Sequence, residues 1–142
     1  MKKISVITPC YNEELNVELL SARVREIFRS LPAYEYEHLF IDNASADGTQ
    51  QALRRLAAAD KNVKVIINTR NFGHIRSPYY AFIHTRCDAA ITLTADFQDP
   101  PELIPEFLRK WEAGYKVVLG VKTNTDESAL MSAVRKFYYD LM

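Results

Sequence analysis

Glycine is scarce in this chain: four in 142, at positions 48, 73, 114 and 120. That spacing cannot build a G-x-G-x-x-G dinucleotide loop, and no G-x-x-x-x-G-K-[ST] phosphate loop is present. Cysteine is rarer still. Cys10 and Cys87 stand far apart in no C-x-x-C pattern, which reads as two reduced, partly buried thiols of a cytosolic protein. The histidines, His38, His74 and His84, have no metal-ligand spacing, and His38 and His84 read as structural. No apolar run approaches the roughly 20 residues of a transmembrane helix. The opening MKKISVITPC is interrupted by Pro9 too early for a signal peptide. Charge has no sign, with 18 Lys and Arg against 18 Asp and Glu. No net field recruits nucleic acid or an anionic membrane, so an anionic ligand must be held by local groups. The expectation is a soluble, cytoplasmic chain without a nucleic-acid partner.

What is present is ordinary in bulk and ordered in sequence. With 48% hydrophobic and 25% charged residues, the chain has the make-up of one globular domain, 1–142, able to bury a core. Apolar β-rich runs at 4–8, 36–42, 63–68, 89–94 and 115–121 alternate with amphipathic stretches. The first helix is expected from Glu14 to Leu31, with Leu15, Leu19, Val24, Ile27, Phe28 and Leu31 on one face. A second runs from the Ser45–Thr49 turn cluster to about Ala59, with Leu53 and Leu56 inward. The stretch 69–77 reads as a loop, Pro78 as the start of a short helix to Thr85, and Pro101 as the start of another through Trp111. A last helix opens at Ser128 and ends in FYYDLM without cap or polar tail, as expected of a chain cut inside a larger protein. Strands alternating with helices specify a Rossmann-like α/β sandwich of three layers with a mostly parallel central sheet.

Four polar clusters follow the first four strands: PCYNEE (9–14), IDNASADGT (41–49), NTRNFGH (68–74) and TADFQDPPE (94–102). All fall at the carboxyl ends of parallel strands, the edge at which open α/β sheets bind ligands. The opposite loops, SLPAYEY and AADKN, carry no comparable concentration. Asp96, Gln98 and Asp99 offer hard oxygen ligands of the kind Mg²⁺ or Mn²⁺ takes when phosphate and water complete its shell. Asp42 suits a hydrogen bond to a base or ribose. Plainer readings stand beside these. Asp47-Gly48-Thr49 also reads as a turn and cap, Pro100-Pro101-Glu102 as a helix start, and Asp99 equally as its N-cap. Arg70, His74 and Arg76 surround Asn71-Phe72-Gly73 and suit either a diphosphate or solvent.

These stretches, with VITPCYNEE, FIDNASADGTQQAL and the closing ESALMSAVRKFYYDLM, resemble family 2 glycosyltransferases of the GT-A fold across nearly the whole chain. The nearest branch is that of dolichyl-phosphate mannosyltransferases and bacterial undecaprenyl-phosphate glycosyltransferases. The resemblance implies an inverting, metal-dependent hexosyltransferase with a nucleotide-diphosphate sugar donor such as UDP-glucose or GDP-mannose. It implies nucleotide contacts at Pro9, Tyr11, Glu13, Asp42, Asn71, Gly73 and Asp96. It also implies a Mg²⁺ or Mn²⁺ site at Asp96 and Gln98, with Asp96 acting in catalysis through the metal. The chain departs from the family pattern at Thr94, where the first acid of an Asp-x-Asp motif is usual, at Asn43, which replaces an acid, and at His74, often Lys. Arginines common before the last helix are missing from VKTNTDES.

The expected acceptor is a polyprenyl phosphate, for cell-envelope glycan synthesis at the cytoplasmic face, because its oxygen is already anionic and needs no general base. Membrane contact is expected only through a part beyond residue 142. A sugar hydroxyl acceptor, and a nucleotide-sugar-binding module without turnover, are the alternatives. A phospho-receiver domain shares the alternation of elements but needs an acid ending the third strand, where Asn68 stands.

Overall fold

A computed structural model describes residues 1–121. The chain divides into two compact units, Met1–Arg109 and Lys110–Met142. In the first, strands β1 (Lys2–Cys10), β2 (Tyr34–Asp42), β3 (Val63–Ile67) and β4 (Ala89–Thr92) alternate with helices α1 (Val17–Arg29), α2 (Thr49–Ala59) and α3 (Gly73–His84). A 3-10 turn at Pro101–Leu103 leads into α4 (Ile104–Glu112). The four strands form one wholly parallel sheet in the order β3-β2-β1-β4. A receiver domain would order its strands 2-1-3, so the topology excludes that reading.

Central position explains the composition of β1. Buried on both faces, it reads as a continuous apolar run, with Ile4, Val6 and Ile7 fully inaccessible. One face meets α1 and α2 through a core of Cys10, Val17, Phe40, Ala52, Leu53, Val63 and Ala95. The other meets α3 through Ile7, Leu39, Ile41 and Ala81. Three layers result, as expected. Among the described residues no helix is long and apolar enough to cross a membrane.

Pro9 shapes the edge of this sheet. Ile7 accepts a hydrogen bond from Leu93 N–H at 3.0 Å, so Ile7 directs its backbone polar groups toward β4. Alternation directs those of Pro9 the same way, whereas Cys10 faces β2 and accepts from Asn43 N–H at 2.9 Å. Pro9 has no N–H to offer the Leu93 carbonyl. The β1–β4 ladder therefore stops while β1–β2 pairing continues through Pro9↔Ile41 and Cys10↔Asp42. Strand order reverses on either side of β1, and here the ladder is unzipped at its carboxyl end.

At the other end of the sheet lies a buried charge. Glu37 accepts from Ser5 and Thr85 hydroxyls at 2.6 Å each, and pairs with Lys3 and Lys64 at 2.7 Å each. Burial alone would raise its pKa, but the two ammonium groups and two hydroxyls outweigh this and hold it down at about 2. His38 beside it is buried, meets Thr8 Oγ1 through Nε2 at 3.0 Å, and lies against the Phe40 ring. Burial lowers its pKa to about 3, so it is neutral and structural. His84, in contrast, is exposed and bonds the Tyr80 carbonyl through Nδ1.

Four expectations change. Leu15 and Leu19 are 80% and 62% exposed, and the buried face of α1 is instead Val17, Leu20, Ser21, Val24, Ile27 and Phe28. Helix α3 begins at Gly73, five residues before Pro78, which lies inside it. The Asn71 side chain accepts from Gly73 N–H at 2.8 Å and starts the helix earlier than the proline signal. Pro100, not Asp99, precedes the 3-10 turn as its cap residue, and no side chain caps it. In the second unit, the segment 115–121 forms no strand: Tyr115, Val117, Leu119 and Val121 alternate as a strand would, yet all are exposed. Alternation alone makes no strand without a ladder to join. The helix expected from Ser128 lies outside the described residues.

Because the folded-state pKa values of His38 and Glu37 are both depressed, each binds a proton more readily in the unfolded chain. Their contributions are complete above the ordinary values of 6.5 and 4.5 and are lost as pH falls toward about 3 and about 2. Urea midpoints should therefore fall on acidification, first in the histidine range and more steeply below the carboxylate range. A His38→Gln variant should lose the first part only. A midpoint that does not change from neutral pH down to the carboxylate range would contradict this account.

Candidate functional site

The loops after β1 and β2 are stitched together by side chains gripping backbone. Asn12 N–H donates to Ser45 Oγ at 2.9 Å, and Asn12 Oδ1 accepts from Ala46 N–H at 2.9 Å. Glu13 N–H donates to Thr49 Oγ1, and Gly48 N–H donates to Glu14 Oε2 at 2.7 Å. A Cβ on Gly48 would sit 2.5 Å from that carboxylate oxygen, so a larger residue would displace the Glu14 side chain from this bond. Asp47 is occupied as well, accepting from Thr49 N–H and from Glu14 N–H. The turn reading of Asp47-Gly48-Thr49 holds, and these acids are committed to backbone.

Asp42 is different. It ends β2 fully buried, its Oδ2 held by Ser45 N–H at 3.1 Å and by Gln50 Nε2 at 3.0 Å. Its Oδ1 has no hydrogen-bond partner. Only two other buried side-chain atoms among the described residues share that condition, His38 Nδ1 and Thr94 Oγ1. Native proteins leave few such groups open, because an unpaired buried polar atom costs about 1–3 kcal/mol. Asp42 Oδ1 and Thr94 Oγ1 both belong to carboxyl-edge segments, and both fit the approach of a donor or acceptor from a ligand. The neighbouring Cys10 thiol is no nucleophile: burial, then the charges of Asp42 and Glu13, push its pKa far up.

Asn43 organises the third loop. Its Nδ2 donates to Asn71 Oδ1 at 2.8 Å and to the Gly73 carbonyl at 3.3 Å. Its Oδ1 accepts from Asn68 Nδ2 at 3.2 Å and Phe72 N–H at 2.9 Å. Asn68 in turn donates to the buried Ser77 hydroxyl at 2.9 Å. An aspartate in place of Asn43 could accept these bonds but donate none, which gives the departure at this position a physical content. Gln50, Asn68 and Ser77 were not singled out by sequence reasoning. For Asn68 the signal was the recurrence of amides after successive strands, Asn12, Asn43, Asn68 and Asn71, whereas Gln50 and Ser77 had none.

The loop after β4 is strained. Phe97 has φ of 59°, and Ala44 and Asn12, in the two loops already described, have 63° and 57°. These are the only non-glycine residues with positive φ among the described residues, and all three lie at the carboxyl edge. Asparagine tolerates this region; a phenylalanine there is held by its surroundings. Asp96 Oδ1 accepts from Gln98 N–H at 3.2 Å across Phe97, an Asx turn. Asp96 and Gln98 are exposed and Asp99 half-buried.

The expected site residues thus share one edge: Pro9, Tyr11 and Glu13 after β1, Asp42 ending β2, Asn71 and Gly73 at the head of α3, Asp96 and Gln98 after β4. Tyr11 is half exposed, and Glu13 receives Asn16 Nδ2 at 2.7 Å. Asn71 and Gly73 are engaged by Asn43 and shape the loop. No group of three or more His, Cys, Asp or Glu side chains is placed to hold a metal among the described residues. Asp96 and Gln98 supply two oxygens from one loop. That set fits a divalent ion that arrives with phosphate and water ligands, not one held by protein alone.

A family profile described as glycosyl transferase family 2 matches residues 5–137. A protein named bactoprenol glucosyl transferase from Shigella phage SfX is 36% identical over 140 residues, covering 98% of this chain and 46% of its own length. An undecaprenyl-phosphate 4-deoxy-4-formamido-L-arabinose transferase of Pseudomonas fluorescens is 39% identical over 127 residues, 89% of this chain and 37% of its own. The chain therefore spans under half the length of these curated relatives. Among solved structures, the mannosyltransferase PcManGT from Pyrobaculum calidifontis, in complex with GDP-Man and Mn²⁺, superposes with a TM-score of 0.61. It is 25% identical and covers 82% of this chain and 34% of its own. The fold is GT-A, as expected.

Replacing Asn43 by aspartate should cost about 1–3 kcal/mol, since the Asn71 and Gly73 acceptors lose their donor. Urea unfolding of Asn43→Asp would measure the loss, and limited proteolysis should cut faster within 69–73. An Asn43→Asp protein as stable and as resistant as the parent would refute this role for the amide hub.

Proposed function

Since the chain belongs to the family 2 glycosyltransferases, we propose that it moves a sugar from a nucleotide-diphosphate donor to a polyprenyl phosphate with inversion at the anomeric carbon. The observation that carries the donor half is the open Oδ1 of Asp42. It is a fully buried carboxylate oxygen whose partner oxygen is pinned by Ser45 and Gln50. A base N–H satisfies it, and uracil and guanine both present one. Thr94 Oγ1, buried and unpartnered at the head of the β4 loop, offers a second contact. Pro9, Tyr11 and Glu13 line the same edge after β1, and the loop held by Asn43 presents Asn71 and Gly73.

Asp96 and Gln98 are the residues that would hold Mg²⁺ or Mn²⁺, which, when bound, neutralises charge on the leaving diphosphate. The acceptor oxygen forms the new bond to the anomeric carbon as the bond to the diphosphate breaks, and the electron pair leaves with the nucleotide. A phosphate acceptor is already anionic. No described residue then has to remove a proton, which agrees with an edge where Glu14 and Asp47 are committed to backbone and the Cys10 thiol stays protonated. The names of the relatives, bactoprenol and undecaprenyl-phosphate transferases, favour the same acceptor. The reaction belongs at the cytoplasmic face of the membrane, where nucleotide sugars and lipid phosphates meet.

Thr94 favours one second reading, a nucleotide-sugar-binding module without turnover, because a hydroxyl replaces a carboxylate. Thermal unfolding with UDP- and GDP-sugars, with and without Mn²⁺, tests the donor site: one nucleotide class should raise the midpoint, more strongly with metal. Asp96→Ala should abolish the metal-dependent part, and Asp42→Asn should weaken binding by about tenfold or more, as loss of a charged hydrogen bond does. No stabilisation by any donor would sink the reading. Donor binding without product on a polyprenyl phosphate would assign the module instead.

A further inference from the structure

Helix α3 is apolar on two faces. Ser77 and Ala81 form the inner one, small and buried, with the helix seated on β1 and β2. On the outer side Ile75, Tyr79, Phe82 and Ile83 recur at steps of three and four residues and are 71%, 64%, 38% and 59% exposed. Single exposed apolar residues need no explanation, but a contiguous stripe marks an interaction surface.

The segment that carries this stripe is basic. No Asp or Glu occurs from residue 61 through 87, although acids and bases balance over the chain. Arg70, Arg76 and Arg86, all exposed, frame the helix, and the Arg70 guanidinium lies over the Phe72 ring at 4.8 Å. Aromatic and aliphatic side chains bordered by arginines suit the boundary between lipid headgroups and acyl chains. A second copy fits poorly, because a two-fold contact through this face would set arginine against arginine.

We propose that the outer face of α3, formed by Ile75, Tyr79, Phe82 and Ile83 and framed by Arg70, Arg76 and Arg86, docks on an anionic lipid surface. This places membrane contact within the chain itself, where the sequence reading had left it to a part beyond residue 142. The helix starts in the loop held by Asn43 at the ligand-binding edge, so docking would bring that edge to the bilayer. The inference does not depend on the donor or acceptor, and its test contains neither.

The 142-residue chain is floated with vesicles of phosphatidylcholine alone, or with about one third phosphatidylglycerol. It should float with the anionic vesicles and less so as salt rises. Tyr79→Ser with Ile83→Ser should lower the partition by about tenfold or more, and Arg76→Gln with Arg86→Gln by a similar factor. Both pairs should melt as the parent does, which separates lost docking from lost folding. Absence of flotation, equal binding to neutral vesicles, or unchanged partition of both variants overturns the proposal. So does a concentration-dependent dimer that the Tyr79→Ser, Ile83→Ser pair dissolves. Tyr79 resisting tetranitromethane before vesicles are added would show the face already covered by the chain, and would overturn it equally.

Discussion

A missing backbone N–H at Pro9 opens the carboxyl edge of the sheet between β1 and β4. In a parallel sheet every interior residue offers hydrogen bonds to one neighbour or the other, and β1 has neighbours on both sides. Pro9 falls on the side facing β4, just past the bond from Leu93 to Ile7, so pairing there has no donor with which to continue. On the other side pairing runs on to Asp42. The chain after Leu93 is thereby released from the sheet while Asp42 is fixed to it. Pairing with β1 holds the acid, and Pro9 ends the ladder that would otherwise hold the strained loop after β4.

Around that opening the sequence uses amides and hydroxyls where charge would be costly. Asn43, Asn68 and Ser77 tie the head of α3 to β2 and β3. Glu14 and Asp47 of the first two loops are satisfied by backbone N–H groups before any ligand arrives. The opposite end of the sheet handles charge in another manner, burying Glu37 under two lysines and two hydroxyls until none of its acceptor capacity is free. The contrast separates a structural acid from a functional one. Glu37 is saturated, whereas Asp42 keeps one oxygen open.

Sequence carried the fold far, because period and punctuation are local properties. Alternating apolar runs and amphipathic stretches place four strands and three of the four helices close to their observed bounds, and the polar clusters fall at one edge as parallel topology requires. Errors arise where a tertiary contact decides. Pro78 reads as a helix start, but Asn71 and Asn43, distant in sequence from each other, begin the helix earlier. Leu19 has the spacing of a core residue, yet α1 is rotated so that Leu20 and Ser21 face inward. The run 115–121 has the pattern of a strand and pairs with none among the described residues. Of the candidate site, the acids were legible by type and position. Gln50 was not, and Asn43 was legible only as a departure from the family pattern, since the importance of an amide lies in which two groups it joins, and those only the fold brings together.

Charge counting bears on how the proposed donor and metal would bind. The β4 loop contributes Asp96 as an exposed carboxylate, Thr94 replaces a second acid, and no cluster of three acidic or imidazole ligands is present among the described residues. With so few protein oxygens a divalent ion gains little by leaving water alone. The diphosphate brings the missing negative charge, and the ion in turn offsets the repulsion between diphosphate and Asp96. Each therefore favours the other, and thermodynamic linkage makes the favour equal in both directions. At the proposed site, Thr94 in place of an acid would shift the balance toward joint binding and away from a preloaded ion. Such a site would stay open until the nucleotide sugar arrives, in keeping with an Asp96 whose one hydrogen bond among the described residues holds its own turn.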